Sequence, residues 1–191
     1  MTYSLTIGLE IHCKLLTESK VFCRCRNEQD FDTLPANTHI CPVCMGMPGA
    51  LPTLSEESVI KAAALGVLLG CTQQTTSLFD RKSYFYPDLP MGYQITQFNK
   101  PINIGGLVKY HTIDYSEEKE VGITQAHLEC DTAKTTAVDS TLLLDYNRAC
   151  TPLVEIVTEP AFHSPEDVHG FIREIQRTLK YYNISSAEMD K

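Results

Sequence analysis

The stretch Thr6-Ile7-Gly8-Leu9-Glu10-Ile11-His12-Cys13-Lys14 near the start of the chain has the alternation of a β-strand. At a period of two residues, the isoleucines and leucine share one face, and Gly8, Glu10 and His12 share the other. We expect the apolar face to pack on the core. The opposite face then carries a carboxylate beside an imidazole, and these two groups together can bind a metal ion.

A second stretch far along the chain, Ala126-His127-Leu128-Glu129-Cys130-Asp131, repeats this arrangement. Its polar residues His127, Glu129 and Asp131 lie on one face of a strand. If the two strands are neighbours in a sheet, their polar groups converge on one patch, which is the candidate active site. The alternative is that both are ordinary half-exposed strands with solvated charges.

The composition is that of a globular protein, with 191 residues, 43% hydrophobic residues, 21% charged residues and a net charge of −8. This length is sufficient for one domain with its own core. The negative charge does not indicate a general nucleic-acid-binding surface, so any such contact needs a local basic patch. The sequence shows neither a secretory leader nor a run of about 20 apolar residues, so we expect a cytoplasmic protein with no membrane segment.

Eight cysteines in a cytoplasmic protein are expected to be thiols or metal ligands rather than disulfides. Four of them form two close pairs within residues 22–45, namely Cys23 with Cys25 and Cys41 with Cys44. The segment between the pairs is rich in turn residues and has little with which to build a core. Two such pairs can converge on one tetrahedral zinc ion that fixes the loop, with His39 as a substitute ligand. The alternative is a set of buried or redox-active thiols.

The other elements predict an α+β fold. Ser55 caps a helix that runs to about Gly70 and is apolar nearly all round, so we expect it to be buried. Residues 102–113 suggest a hairpin around Gly105 and Gly106, and residues 121–128, 142–146 and 153–157 are predicted strands. A second helix begins at Ser164-Pro165-Glu166-Asp167. We therefore expect one domain over residues 1–191, a mostly antiparallel sheet covered by helices, with a small zinc-binding loop inserted.

Two further regions contribute candidate site residues. The segment Phe79–Gln94 mixes charged and aromatic residues, as functional loops do and as loops packed by their own tyrosines also do. Within it, Arg81 and Lys82 are suited to phosphate or carboxylate groups. Near the end of the predicted sheet, Glu155 is either a site residue with Arg148 as its partner or an exposed residue of an edge strand.

The sequence lacks the motifs of several common enzyme classes. It contains no P-loop, no Gly-x-Gly-x-x-Gly turn and no Gly-x-Ser-x-Gly elbow. Cys130 is a poor nucleophile candidate, because flanking carboxylates disfavour its thiolate. What remains is a carboxylate-rich face, whose oxygen ligands suit the magnesium ion of phosphoryl transfer. His12 also suits manganese or zinc.

Several longer motifs cover nearly all of the chain, at residues 7–12, 23–25, 41–44, 47–52, 80–90, 127–129, 147–148 and 152–160. In content and order they resemble the B subunit family of aspartyl/glutamyl-tRNA amidotransferases. The resemblance implies the front part of the family's cradle-shaped catalytic domain. The helical and tail domains of the longer members are not part of this sequence, so we expect a truncated domain.

The resemblance also implies an activity. Members of the family use ATP and magnesium to phosphorylate the side-chain carboxylate of glutamate on tRNA(Gln) or of aspartate on tRNA(Asn). Ammonia that the A subunit releases from glutamine then reaches the acyl phosphate through a channel and forms the amide. The expected partners are therefore this glutaminase A subunit, a small C subunit, mischarged tRNA and ATP.

Site residues follow from the resemblance position by position. The family positions that hold the catalytic metal match Glu10, His12 and Glu129, and we add Asp131 as a further magnesium ligand. From their charges, we expect Arg81, Lys82, Arg148 and Glu155 to contact the nucleotide or the substrate.

The chain also departs from the family's pattern. The motif His-x-Glu-Glu-Asp-Ala-Gly-Lys has Cys130 in place of a carboxylate and Ala133 in place of a glycine. If the missing carboxylate is a metal ligand, either the protein is impaired or Asp131 takes its place. The competing expectation is a non-catalytic, zinc-stabilised fragment or degenerate paralogue that binds a partner subunit or tRNA.

Overall fold

The structure is a computed structural model that describes residues 3–189. In chain order, its strands and helices are β1 (Glu10–Lys14), α1 (Glu56–Leu68), β2 (Thr72–Gln73), β3 (Asp80–Ser83), β4 (Tyr93–Thr96), β5 (Asn103–Ile104), β6 (Leu107–His111), β7 (Glu118–Cys130), β8 (Lys134–Val138), β9 (Thr141–Asp145), β10 (Pro152–Thr158) and α2 (Pro165–Tyr181). A short 3₁₀ turn lies at Phe31–Thr33. No helix within residues 3–189 is both long and apolar enough to cross a lipid bilayer.

A six-stranded sheet forms the centre of the fold. Its strands follow the order β1-β10-β7-β5-β2, and β6 pairs with the other half of β7. All of these pairs are antiparallel. Two separate hairpins, β3–β4 and β8–β9, lie outside the sheet. The predicted α+β class with a mostly antiparallel sheet is therefore confirmed.

Alternation along the strands places one face of the sheet in the core. Leu128 of β7 and Val154 and Ile156 of β10 are completely buried. Helix α2 packs over the β6 side, where the ring of Phe171 lies 5.2 Å from that of Phe162. Both predicted helix starts are confirmed, because Ser55 and Ser164 cap α1 and α2 through their side chains.

The predicted hairpin within residues 102–113 is wrong. Strands β5 and β6 do not pair with each other; β5 pairs with β7 at residues 125–126 and β6 pairs with β7 at residues 118–122. Gly105 and Gly106 have φ values of +66° and +130° and lie between β5 and β6, which pair with β7 in one continuous register. The sequence shows the turn residues but not the length of β7.

The prediction that α1 is a buried helix is correct only for the side that packs against the sheet. Ala62 and Leu65 are completely buried, but Ile60 and Val67 are 59% and 62% exposed. Only the face toward the sheet is covered, and the opposite face is apolar without being packed. Because apolar residues surround the whole helix, its sequence periodicity cannot distinguish the two faces.

Helix α1 is joined to the sheet by the buried side chain of Asn103. Its Nδ2 donates to the carbonyl of Ala62, at 2.9 Å, and to that of Ala126 in β7, at 3.0 Å. A Cβ on Gly66 would overlap the amide group of this side chain. Close packing of α1 against the sheet therefore depends on glycine at this position.

We expect Gly66→Ala to reduce the free energy of unfolding by about 3 kcal/mol, because the new methyl group must displace a hydrogen-bonded, buried amide. Urea denaturation of the two proteins measures this difference. Gly8→Ala is the matched control, since a Cβ there would meet its nearest atom at 3.5 Å, an ordinary contact. Equal unfolding midpoints for Gly66→Ala and the parent would show that α1 can shift at no cost.

Candidate functional site

Three polar side chains from three adjacent strands form a row across the sheet. His12 of β1 is paired with Glu155 of β10, and Glu155 is paired with His127 of β7. In the next position, on the same face, Glu129 lies opposite Leu153. The polar side chains of the two stretches therefore meet, but their strands are not neighbours as expected, because β10 lies between them and adds Glu155.

The side chains of this row are close enough to share one cation. The Nε2 atom of His12 lies 3.4 Å from a carboxylate oxygen of Glu129 and 3.4 Å from one of Glu155. The Nε2 atom of His127 lies 3.5 and 3.6 Å from the same two carboxylates. We define His12, Glu129 and Glu155 as the triad, because their donor atoms all lie within 4.8 Å of one another.

The surroundings favour an ionised carboxylate on Glu129. This side chain is 2% exposed, and the hydroxyl of Thr96 donates to its Oε2 at 2.9 Å. Burial acts to raise the pKa of Glu129, but hydrogen bonds from His12, His127 and Thr96 together lower it to about 2. The hydrogen bonds to Glu129 and Glu155 raise the pKa of His12 to about 10.

The triad fits a divalent cation with oxygen preference. Donor atoms around one magnesium ion, at about 2.1 Å from it, are separated by at most roughly 4.2 Å, so the triad needs only a small contraction. Two carboxylates supply the negative charge that such an ion requires. The single imidazole also accommodates manganese.

We expect a cation to compete with the proton of His12, because only the neutral imidazole can bind a metal. Since the pKa of His12 is raised to about 10, one proton leaves for each ion bound at neutral pH. The affinity for Mn²⁺ should then rise about tenfold from pH 7 to pH 8. Calorimetric titration at the two pH values measures this.

Variants of two histidines test whether this pH dependence belongs to the triad. His12→Asn should remove most of the pH dependence, because the amide does not take up a proton in this range. His111→Asn, at an exposed position on β6, should leave it unchanged. Equal Mn²⁺ affinities at pH 7 and pH 8 in the parent would contradict the assignment of His12 as a ligand.

The triad lies in an open cleft of about 710 Å³. This volume is in the range of nucleotide-sized ligands. Glu10 lines the same wall two residues before His12 on β1, but it is not within the triad. Lys82 also lines the cleft, whereas Arg81 does not. The guanidinium of Arg81 lies 5.8 Å from the centre of the Tyr93 ring.

Arg148 and Asp131 form a second charged group in the cleft. The Nε atom of Arg148 lies 3.5 Å from Asp131 and donates to the carbonyl of Thr132 at 3.1 Å. Burial raises the pKa of Asp131, against the effect of the guanidinium. Asp131 is thus on the predicted face but lies outside the triad.

The expected partnership of Arg148 with Glu155 is not what the structure shows. Glu155 contacts His12 and His127 instead, and hydrogen bonding to His12 lowers its pKa. The alternative, that Glu155 is an edge-strand residue, is wrong as well, because β10 lies between β1 and β7. Arg148 was chosen as the partner because it is close to Glu155 in sequence. The strand order, which brings the histidines to Glu155, could not be predicted from the sequence.

Cys130 does not face the cleft. Its side chain is completely buried in the hydrophobic core, on the face of β7 opposite to Glu129. It is also a hydrogen-bonding partner of the Cys150 thiol, and this bond together with burial raises the pKa of Cys150. The departure from the family's motif at this position therefore removes no donor from the triad.

A separate cluster contains the four predicted zinc ligands, Cys23, Cys25, Cys41 and Cys44. Their sulfur atoms all lie within 4.8 Å of one another, and those of Cys41 and Cys44 are 3.8 Å apart. Two thiolates on a tetrahedral zinc ion, with Zn–S bonds of about 2.3 Å, are separated by roughly 3.8 Å. The backbone N–H of Cys41 also donates to the sulfur of Cys44 at 3.0 Å. The cluster could therefore bind zinc.

The local environment already favours one thiolate in this cluster. A hydrogen bond from Cys23 and the positive charge of Lys20 lower the pKa of Cys44 to about 5, although burial opposes them. Burial raises the pKa of Cys25 to about 12. His39, the predicted substitute ligand, is not in the cluster and lies 3.7 Å from Glu28.

Residues 22–45, which we call the cysteine loop, pack against the turn that contains Arg148. The side-chain oxygen of Asn147 accepts hydrogen bonds from the backbone N–H groups of Thr38 and His39, both at 2.8 Å. Asn147 is itself completely buried. A metal that orders the loop therefore also fixes one wall of the cleft.

Two residues of the site have no assigned role in the sequence-based prediction. His127 was expected on the site face but not as the second imidazole between the two carboxylates. Thr96 comes from β4, outside the main sheet, and no sequence motif indicates that its hydroxyl reaches Glu129. Such a contact depends on the packing of β4 against β7.

Comparisons with known proteins identify the family of this chain. The family model of the GatB/GatE catalytic domain matches residues 5–191. The chain is similar to proteins named as the B subunit of aspartyl/glutamyl-tRNA(Asn/Gln) amidotransferase. It is 43% identical to the protein from Thermomicrobium roseum over the whole chain, and 46% identical to that from Coprothermobacter proteolyticus, also over the whole chain. For the protein from Methanospirillum hungatei, the identity is 45% over 96% of the chain.

These relatives are longer proteins. The chain spans about two fifths of their length, 40% for the Thermomicrobium protein and 39% for the Methanospirillum protein. The family match covers nearly all of the chain, including every residue of the triad and of the cysteine cluster. This chain therefore belongs to the GatB/GatE catalytic-domain family.

Proposed function

We propose that this chain forms catalytic machinery of a tRNA-dependent amidotransferase, in which ATP activates the side-chain carboxylate of glutamate or aspartate carried by tRNA(Gln) or tRNA(Asn). The observation that carries this proposal is the triad of His12, Glu129 and Glu155 at a cleft of nucleotide size. Family membership and the name of the relatives support the same reaction.

The proposed reaction has two steps. A carboxylate oxygen of the aminoacyl side chain attacks the terminal phosphorus of ATP, and the bond from this phosphorus to the bridging oxygen of ADP breaks. Ammonia then attacks the carbonyl carbon of the acyl phosphate, phosphate leaves with the carbon–oxygen electron pair, and a proton lost from nitrogen completes the amide. Both steps concentrate negative charge on phosphate oxygens.

The residues of the cleft have separate tasks in this proposal. The triad would hold a divalent cation, which would offset negative charge on the phosphate groups. Thr96 orients the carboxylate of Glu129 through a hydrogen bond, and the Nε2 atom of His127 lies 3.5 and 3.6 Å from oxygens of Glu129 and Glu155. Lys82 and Arg148 present positive charge to phosphate or carboxylate groups from other parts of the cleft. Glu10 and Asp131 are part of the acidic lining of the cleft.

We assign a structural role to the cysteine cluster, since four thiolates leave no open position for a substrate on zinc. The proposal includes two partner subunits, a glutaminase that supplies ammonia and a small third subunit, and a cytoplasmic site of action. The name of the relatives includes both tRNA(Asn) and tRNA(Gln), so either aminoacyl-tRNA is a substrate to test.

The test is a reconstitution at full length. The chain, continued to the length of its relatives, is combined with the two partner subunits, glutamine, ATP, Mg²⁺ and either Glu-tRNA(Gln) or Asp-tRNA(Asn). We expect amidated tRNA and ADP to form in equal amounts, and neither product without Mg²⁺. Binding of tRNA or of the partner subunits without ADP formation would reject the catalytic proposal in favour of a non-catalytic binding module.

A further inference from the structure

Lys20 is a completely buried ammonium group. Its exposed fraction is 0%, and among the described residues it is the largest side chain that is fully buried. Its Nζ donates to the carbonyl of His39 at 2.9 Å and to that of Tyr146 at 3.4 Å. Both acceptors are neutral backbone oxygens, so they solvate the ammonium without balancing its charge.

A buried charge without a counter-charge is costly in a protein interior, and it normally loses its proton or pairs with an opposite charge. The ammonium of Lys20 lies on the side of the molecule that holds the cysteine cluster. The backbone N–H of Lys20 donates to the carbonyl of Cys25 at 2.9 Å. His39, whose carbonyl accepts from the Nζ of Lys20, lies two residues before Cys41.

Zinc bound by four thiolates carries a net charge of minus two. Such a centre is itself difficult to bury unless cations or N–H donors surround it. We propose that Lys20 is the counter-ion of the zinc–thiolate centre, so that each of the two buried charges stabilises the other. This inference rests on the zinc site proposed above.

The same side chain also connects the centre to the cleft. The Nζ of Lys20 contacts the cysteine loop at His39 and the turn before β10 at Tyr146, next to Asn147 and Arg148. Lys20 is therefore a positioning residue and not a ligand. Its loss should therefore destabilise the metal-loaded protein more than the metal-free protein.

The test compares Lys20→Met with the parent in two states, zinc-loaded and treated with a strong chelator. Zinc affinity is measured by competition with a chromophoric chelator, and stability by thermal unfolding. We expect Lys20→Met to weaken zinc binding by at least about tenfold and to lower the Tm of the zinc-loaded protein. In the chelator-treated protein its Tm should fall much less, because a thiolate that loses the ammonium can take up a proton, whereas thiolates bound to zinc cannot.

Lys61→Met is the matched control, since the Nζ of Lys61 also donates to a backbone carbonyl, that of Asn183 at 3.0 Å, away from the cysteines. It should not change zinc affinity. Lys20→Arg, which keeps the charge, should bind zinc more tightly than Lys20→Gln, which removes it. This second comparison decides the question if Lys20→Met does not fold.

Three results would overturn the proposal. Zinc affinity within twofold of the parent for Lys20→Met would show that the ammonium does not act on the centre. An equal loss of Tm with and without zinc would indicate a packing role only. A parent protein that binds no zinc would reject the zinc site itself and this inference with it, whereas normal zinc binding without amidation would leave the inference intact and reject only the catalytic proposal.

Discussion

Replacing Glu129 by Gln in the full-length reconstituted enzyme is expected to reduce the rate of ATP-dependent amidation by roughly two to three orders of magnitude. The amide has the size of the carboxylate and can still accept the hydrogen bond from Thr96. It lacks the charge, however, that the triad offers to a cation. The loss should therefore appear in phosphoryl transfer and in Mn²⁺ affinity while the fold is retained.

Two measurements separate this effect from a general defect. Glu120→Gln is the matched control, because Glu120 is an exposed residue of the same strand, β7, remote from the triad. It should leave amidation within about twofold of the parent. Glutamine hydrolysis by the partner subunit uses none of the triad, so its rate should fall much less in Glu129→Gln. Undiminished amidation by Glu129→Gln would remove this residue from the site.

The second large effect is expected from the cysteine cluster. Protein purified without added metal should contain about one zinc ion per chain, and Cys41→Ser combined with Cys44→Ser should contain none. The cysteine loop has few buried apolar residues, so zinc binding is a large part of its folding free energy. We expect the variant to lose at least about 5 kcal/mol of stability and to show an unfolded loop.

Elemental analysis and proteolysis of the loop measure these two changes. Cys71→Ser is the control, since Cys71 is a buried free thiol outside the cluster, and this variant should keep its zinc. Chelation of the parent should reproduce the effect of the double variant. A parent with four reduced thiols, no zinc and unchanged stability after chelation would show that the cluster is only a group of packed thiols.

Much of the fold and part of the site could be predicted from local sequence pattern. Two-residue alternation correctly placed His12 and Glu129 on polar faces, and paired cysteines correctly indicated a cluster, because both signals involve residues close in sequence. The capping residues Ser55 and Ser164 similarly identified the helix starts.

The remaining features depend on contacts between distant residues. Insertion of β10 between β1 and β7 brings Glu155 into the triad, and strand order is not encoded in the pattern of any one strand. Because strand order could not be predicted, the expected partner of Glu155 was wrong, and so was the expected hairpin at Gly105. Arg81 and Lys82 are adjacent and carry the same charge, so the sequence does not show which one lines the cleft. The pairing of β3 with β4 places Lys82 there.

The row of His12, Glu155 and His127 has a consequence for how the protein acquires its site. Residues 12 and 155 become neighbours only when the first strand pairs with the last one, so the triad requires closure of a loop that includes most of the chain. A nascent polypeptide on the ribosome cannot assemble the triad before β10 has emerged. The protein would therefore gain Mn²⁺ affinity late in folding. The rate at which this affinity appears would measure how fast β1 pairs with β10.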